Sequence, residues 1–454
     1  MTVAITLLLL ASQLSAYERA PSFHESNAVL LNVSETDLNR IVRDAFREHL
    51  GTKIEGASSD PSRGIRELRY EATFSEPVLE LAPGGTARVD LDLLQADLRI
   101  GRFEKKFMRK MASCDNAGLN VDPDDPVEMA LYLSFEVTDH DLQIVPSDLT
   151  IERSKDFNLI KPTKCRNTWL PKWLVWRIGK GELRRKIKRL DDLLLAKARA
   201  SASDLGDDDG LLALRWRNLF LYPERVDTSH RSLLVGFAGA TERQPSTGDL
   251  PGWVAEESRH SYIGVSESFL NSVARSAMQR LQSGPRRPGG NLSKLFRGDA
   301  IHSLIPGLRD LRPDADLRLG WTFHRAPVIE LDALAADRAL VRVRLSGAEL
   351  TIWDGAERLG ALEIDSARLG VLPYLNVLGG ISFEVVENTW LLSARDIDFD
   401  VETLAATFQE LFFGEMFETR YQPVAERAFD VGETAFRPRY FRLLDRYLVI
   451  GLAE

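Results

Sequence analysis

The sequence predicts an α+β protein made of two related units in tandem, and three observations carry that prediction. The chain has 454 residues, too many for one ordinary core and close to what two domains of about 200 residues need. A stretch near its start is repeated past its middle. Around both copies, apolar residues first follow helical spacing and then alternate as they do in strands.

The repeat is most direct at two helix starts. Residues 33–45 read VSETDLNRIVRDA and residues 265–277 read VSESFLNSVARSA, with seven of thirteen positions identical. Ser34 and Ser266 stand where an N-cap belongs. Leu38, Ile41, Val42, Ala45 and Phe46 then mark one helix face, and Leu270, Val273, Ala274, Ala277 and Met278 mark the same face of the second copy. A second echo pairs Thr73-Phe74 and Pro77–Leu81 with Thr322-Phe323 and Pro327–Leu331. A third pairs Ala96–Ile100 with Ala348–Ile352. Three echoes in one order define a tandem duplication at a spacing of about 230–255 residues.

The remaining elements follow from periodicity. Leu68, Tyr70, Ala72 and Phe74 alternate with polar residues, as do Val89, Leu91 and Leu93, and Leu131, Leu133, Phe135 and Val137. One face of each strand is therefore apolar and the other wet. A long helix is expected from Pro171 to Ala200, with strands at Leu214–Tyr222 and Ser232–Gly239. In the second unit, strands are expected at Leu317–Leu331, Ala339–Trp353, Ile381–Val386 with Trp390–Phe399, and Tyr447–Leu452, with a helix near Val401–Arg420. The expected organisation is a leader at 1–16, a first unit at 17–240, a linker at 241–259 and a second unit at 260–454. Pro245, Gly248, Pro251 and Gly252 punctuate the linker, and SGPRRPGG at 283–290 forms another loop.

The net charge of −9 argues against a nucleic-acid partner, which needs a basic footprint. Residues 1–16 carry an apolar core from Val3 to Ala11 and a small-residue end, Leu14-Ser15-Ala16. This reads as an export signal without the usual basic start, the alternative being an apolar first element of the mature fold. The destination is then secreted or periplasmic. Cys114 and Cys165 are the only cysteines. In an exported protein they suggest one disulfide, worth about 3–4 kcal/mol for a loop of about 50 residues; the alternative is two buried free thiols.

Two copies of helix, twisted antiparallel strands and a second long helix resemble the tubular lipid-binding (TULIP) superfamily. The likeness is to the branch containing bactericidal/permeability-increasing protein, lipopolysaccharide-binding protein and the cholesteryl ester transfer proteins. The paired VSE..LN helix starts, Cys114 with Cys165 just before the Pro171–Ala200 helix, and the closing Tyr447–Leu452 carry this resemblance. It implies two elongated barrels, each a highly twisted sheet wrapped on a long helix, joined end to end as a boomerang. It also implies one disulfide in the first unit, and lipid tails in an apolar slot of each barrel. Tail contacts are then expected at Leu38, Ile41, Val42, Ala45, Leu79, Leu81, Leu91 and Leu98. In the second unit they fall at Leu270, Val273, Ala274, Ala277, Ile329, Leu331, Leu345 and Leu350. For each residue alone, ordinary core packing is the competing reading.

The segment Lys172, Trp173, Trp176, Arg177, Lys180, Arg184, Arg185 and Lys188 stands out in an acidic protein. Cations with tryptophans suit a surface touching anionic head groups; a solvated helix face is the bland alternative. Lys105, Lys106, Arg109 and Lys110, read as a loop before Cys114, add to the same patch. Catalytic patterns are poor: Gly264–Ser268 lacks the closing glycine of a nucleophile elbow, and seven scattered histidines offer no HExxH. Asp204–Gly210 lacks the ligand spacing of a calcium loop. No enzyme, cofactor or metal is expected. The sequence thus favours carriage of phospholipid, fatty acid or lipopolysaccharide, the alternative being a module of the same fold with filled cores that binds a protein or an anionic membrane surface.

Overall fold

The computed structural model describes residues 24–49, 52–60, 65–107, 110–121, 124, 126–152, 158–161, 164–166, 214–216, 219–229, 231–240, 249–281, 317–335, 338–375, 381–396, 429–431 and 434–453. The first half contains β1 (His24–Ser34), α1 (Glu35–His49), β2 (Lys53–Asp60), β3 (Ile65–Phe74), β4 (Val78–Ala82), β5 (Thr86–Phe107), β6 (Lys110–Val121), β7 (Val127–Thr138), β8 (Asp141–Glu152), β9 (Asn158–Ile160), β10 (Lys164–Arg166), β11 (Leu214–Trp216), β12 (Leu219–Asp227) and β13 (Ser232–Ala240). A helical turn, α2 (Val254–Glu257), leads to the second half. This holds β14 (Tyr262–Ser266), α3 (Glu267–Leu281), β15 (Leu317–Phe323), β16 (Val328–Ala335), β17 (Arg338–Asp354), β18 (Glu357–Leu375), β19 (Ile381–Arg395), β20 (Phe429–Val431), β21 (Thr434–Leu444) and β22 (Tyr447–Ala453).

Among the described residues these strands form three antiparallel sheets. The central one has the order β11-β12-β13-β1-β14-β22-β21-β20, so each half contributes four strands. Its order is a palindrome of the repeat, and the register is one too. Leu31 faces Ile263, the residue at its own place in the other copy, with Leu30 opposite Gly264 and Asn32 opposite Tyr262. The two copies meet as subunits meet in an isologous dimer, where one patch pairs with itself.

The outer sheets are built alike. β5 pairs with β4 over its first part and with β3 over its second, and β17 pairs likewise with β16 and β15. On the other edge, β18 runs unbroken along β17. In the first half its place is shared by β6, whose Val121 faces Ala96 of β5, and β7, whose Val127 faces Leu93.

Several expectations are corrected. The strand foreseen over Leu317–Leu331 breaks at residues 324–327 into β15 and β16, and the two pieces before Phe399 are one strand, β19. Lys105, Lys106 and Lys110 sit on the β5–β6 hairpin rather than in a loop; the charged run hid the strand because it lacks apolar alternation. Thr73 faces Gln95 and Thr322 faces Glu349, so Ala96 corresponds to Leu350 and the third echo is out of register by two residues. The helices foreseen at Pro171–Ala200 and Val401–Arg420, the 1–16 leader, the 283–290 loop and the start of the linker lie outside the described residues.

The repeated residues form a clamp. Ser34 Oγ accepts the Asp37 N–H (3.2 Å) and Ser266 Oγ accepts the Phe269 N–H (3.0 Å), so both are N-caps. The next residue's N–H donates to a hairpin carbonyl, Glu35 to Arg231 (3.0 Å) and Glu267 to Arg446 (2.9 Å). The carboxylates of those glutamates accept the N–H of Leu81 (3.0 Å) and Leu331 (2.8 Å). Asn39 both donates to and accepts from the backbone of Leu79, each at 2.7 Å; Asn271 does the same with Ile329, each at 2.7 Å. The first echo is thus bolted to the second: each helix is fixed to the strand that follows it in the repeat.

Removing one side of such a pair leaves a strand N–H and a C=O without partners, at about 1–3 kcal/mol for a buried group. Asn271→Ala should therefore lower unfolding stability in urea by about 2 kcal/mol, with the far-UV spectrum unchanged. A loss below about 0.5 kcal/mol would show that water replaces the clamp.

Candidate apolar seam under the paired helices

α1 and α3 lie on the inner face of the central sheet, where one contiguous apolar core takes residues from both halves. It includes Leu31, Val33, Val235 and Phe237 with Ile263, Val265, Leu448 and Ile450. The two helices present the same sequence face to this core but close it differently. On α3, Leu270, Val273 and Ala274 are 4%, 2% and 7% exposed. On α1 the equivalent Leu38, Ile41 and Val42 pack against the core yet remain only half-buried. The same apolar face is thus half-buried on α1 and buried on α3.

Leu79 is buried and Leu81 half-buried beneath α1; Ile329 and Leu331 are both buried beneath α3. All four join the shared core. Leu345 and Leu350 instead belong to a separate cluster with Trp321, Phe323 and Trp390. Leu91 and Leu98 are half-buried. Ala45, expected to point inward, is exposed, one step round the helix from the buried Phe46; the Ala277 side chain lies outside the described residues. The head-group set Lys172, Trp173, Trp176, Arg177, Lys180, Arg184, Arg185 and Lys188 lies outside them as well, and so does Arg109. Val89, Leu133 and Val137, read from alternation as apolar-face residues but not expected as tail contacts, and Ile144, which the sequence reading missed, are half-buried and packed against the same core.

The seam's two ends are tied across the halves by polar groups. Ser34 Oγ donates to its own Asp37 (2.9 Å), and Ser261 from the second half also donates to that carboxylate. In α3 the position of Asp37 is Phe269, whose ring lies over Gly239 and Ala28 of the first half; a Cβ on Gly239 would come within 2.5 Å of it. With that aspartate gone, Ser266 Oγ donates instead to Glu25 on β1, at 2.5 Å. Burial pushes the Glu25 carboxyl above the usual glutamate range, against the pull of its bonds to Ser266 and Ser268.

Backbone register sets Cys114 opposite Cys165 on β6 and β10, and Cys114 is buried. Among the described residues no group of three His, Cys, Asp or Glu side chains could hold a metal ion, and no helix is long and apolar enough to cross a membrane.

No family model matches the sequence, and no curated protein matches it. Among solved structures the chain is similar to one described as a crystal structure of lipopolysaccharide binding protein. The identity is 13%, the match covers 94% of this chain and 98% of that one, and the TM-score is 0.40.

The raised Glu25 carboxyl has a definite pH consequence. The folded chain holds this proton more tightly than the unfolded one, so stability falls as pH rises from the ordinary glutamate value through the folded one. Glu25→Gln keeps an acceptor for Ser266 and removes the charge. It should raise the urea midpoint at pH 8, and the gain should shrink towards pH 4.5. A midpoint lowered at pH 8 but not at pH 4.5 would show that the charge itself holds the seam.

Proposed function

We propose that this chain is a non-catalytic lipid-binding protein in which an acyl chain lies against the half-open inner face of α1. The observation that supports this most is the contrast between Leu38, Ile41 and Val42 and their sealed counterparts Leu270, Val273 and Ala274. Apolar side chains beside unfilled space cost burial, and a lipid tail entering there gains about 0.8 kcal/mol per CH2. The two matching halves are in this reading two tandem elongated barrels of tubular lipid-binding type, the second of which is filled by its own side chains. The ligand class is phospholipid, fatty acid or lipopolysaccharide. The reading includes an exported protein with the leader at 1–16 removed, a Cys114–Cys165 disulfide, and a basic segment at 172–188 meeting anionic head groups.

Mass spectrometry of an organic extract from protein purified without detergent tests the reading. About one lipid per chain is expected, and Val42→Trp, which fills the first seam, should abolish it while Ala274→Gly leaves it in place. A protein that carries no lipid and takes none from vesicles would favour the alternative, a filled module that binds a protein or an anionic surface. Intact mass after iodoacetamide should show no alkylation before reduction and two adducts after it; adducts on the unreduced protein would remove the disulfide from the proposal.

A further inference from the structure

Away from the first seam, a cleft of about 540 Å³ opens between the flank of α3, β16 and the β21–β22 hairpin. Its carboxylates are already engaged. Glu267 accepts the Leu331 N–H (2.8 Å), Glu330 pairs with Arg344 (2.7 Å), and Asp332 is held by Arg342, which also binds Glu387. Two of its cations are not. Arg275 is exposed and has no ion pair among the described residues. Arg446 is 81% exposed and reaches only Glu267, loosely, at 3.8 Å.

The duplication supplies an internal control. Arg43 is the first-half counterpart of Arg275, and beside it stands Glu76, whose carboxylate is bound by Arg47 (3.1 Å) and lies in the field of Arg43. In the second half the position of Glu76 is Ala326 and that of Arg47 is Gln279. Ala326 lines the cleft. The second copy thus lacks the acid that neutralises this arginine, and a cavity stands in front of it.

We propose that this cleft is an anion site that takes a phosphate group, with Arg275 and Arg446 as its recognition pair. Guanidinium forks match the oxygens of a phosphate, and charge-assisted bonds of this kind are the strong ones. The same chemistry is carried by free phosphate and by a phospholipid head group. The site does not depend on acyl-chain binding in the first seam.

Titration calorimetry of the full chain with inorganic phosphate tests the site. Binding should weaken about tenfold in Arg275→Gln and in Arg446→Gln. Ala326→Glu, which restores the acid of the first copy, should weaken it at least as much. Arg338→Gln, an exposed arginine outside the cleft, should leave it unchanged. Equal urea midpoints for all four proteins would set aside folding defects. Vesicles of phosphatidylcholine with phosphatidic acid, compared with phosphatidylcholine alone, separate the two sources: competition with phosphate identifies a head-group site, and its absence a soluble anion. Undetectable phosphate binding at millimolar concentration, or binding indifferent to Arg275→Gln and Ala326→Glu, would overturn the proposal. Lipid extracted from Arg275→Gln should equal that of the parent, so this site and the lipid seam fail separately.

Discussion

The pairing of β1 with β14 is the constraint from which the rest of the molecule follows. Leu31 opposite Ile263 places equivalent residues face to face, so each copy must continue away from the junction in the same way. The return strands β13 and β22 then flank the pair on opposite sides, and the two helices that follow β1 and β14 fall on one face of one sheet. A single core forms under both helices. Had the register slipped by one residue, every inward side chain of β1 would have turned outward.

The other face of that sheet is covered as well. Trp253 and Val254 of the linker pack on Leu30, Leu234, Tyr262 and Val449. The indole lies against Gly264, where a Cβ would stand 3.3 Å away. Asn32 donates to the carbonyls of Ser258 (3.2 Å) and His260 (2.7 Å), and Asn27 to that of Asp249 (3.0 Å), so one strand grips the linker at both ends. Glu257 accepts from Tyr440 and from Arg442, each at 3.2 Å. This cover explains why β13, β22 and the Ala28–Leu31 stretch of β1 read as nearly unbroken apolar runs: strands buried on both faces do not alternate.

That same fact limited what could be read from the sequence. The helix starts were legible because capping and helical period are local, and Ser34 and Ser266 cap as their positions foretold. Strands with one wet face, such as β7, were legible by alternation. β1 was not, since its non-alternating pattern is set by a linker more than 200 residues away in sequence. β18 was missed for a related reason: its 19 residues mix buried and exposed positions around register shifts at Ile364/Ser366 and Gly370/Val371. The role of Asn39 and Asn271 was invisible too. Their identity across the copies was plain, but only the strand backbone they bind shows that the match serves anchoring rather than chemistry.

Identity between the copies therefore marks what holds the fold, and difference marks where one copy was freed to do something else. The serine, glutamate and asparagine of each helix start are the same because each helix must be clamped to its strand. Asp37 against Phe269 is a difference with a structural cost: the lost carboxylate is replaced by Glu25 from the other half, in a buried place where its charge is disfavoured. The ring that takes the place of Asp37, that of Phe269, packs against Gly239 at the junction. The first copy, with Asp37 in the same position, has no such ring, and its helix face stays half-open. The difference in burial between the two helix faces accompanies this substitution, and the half-buried face is the one against which the proposed lipid lies.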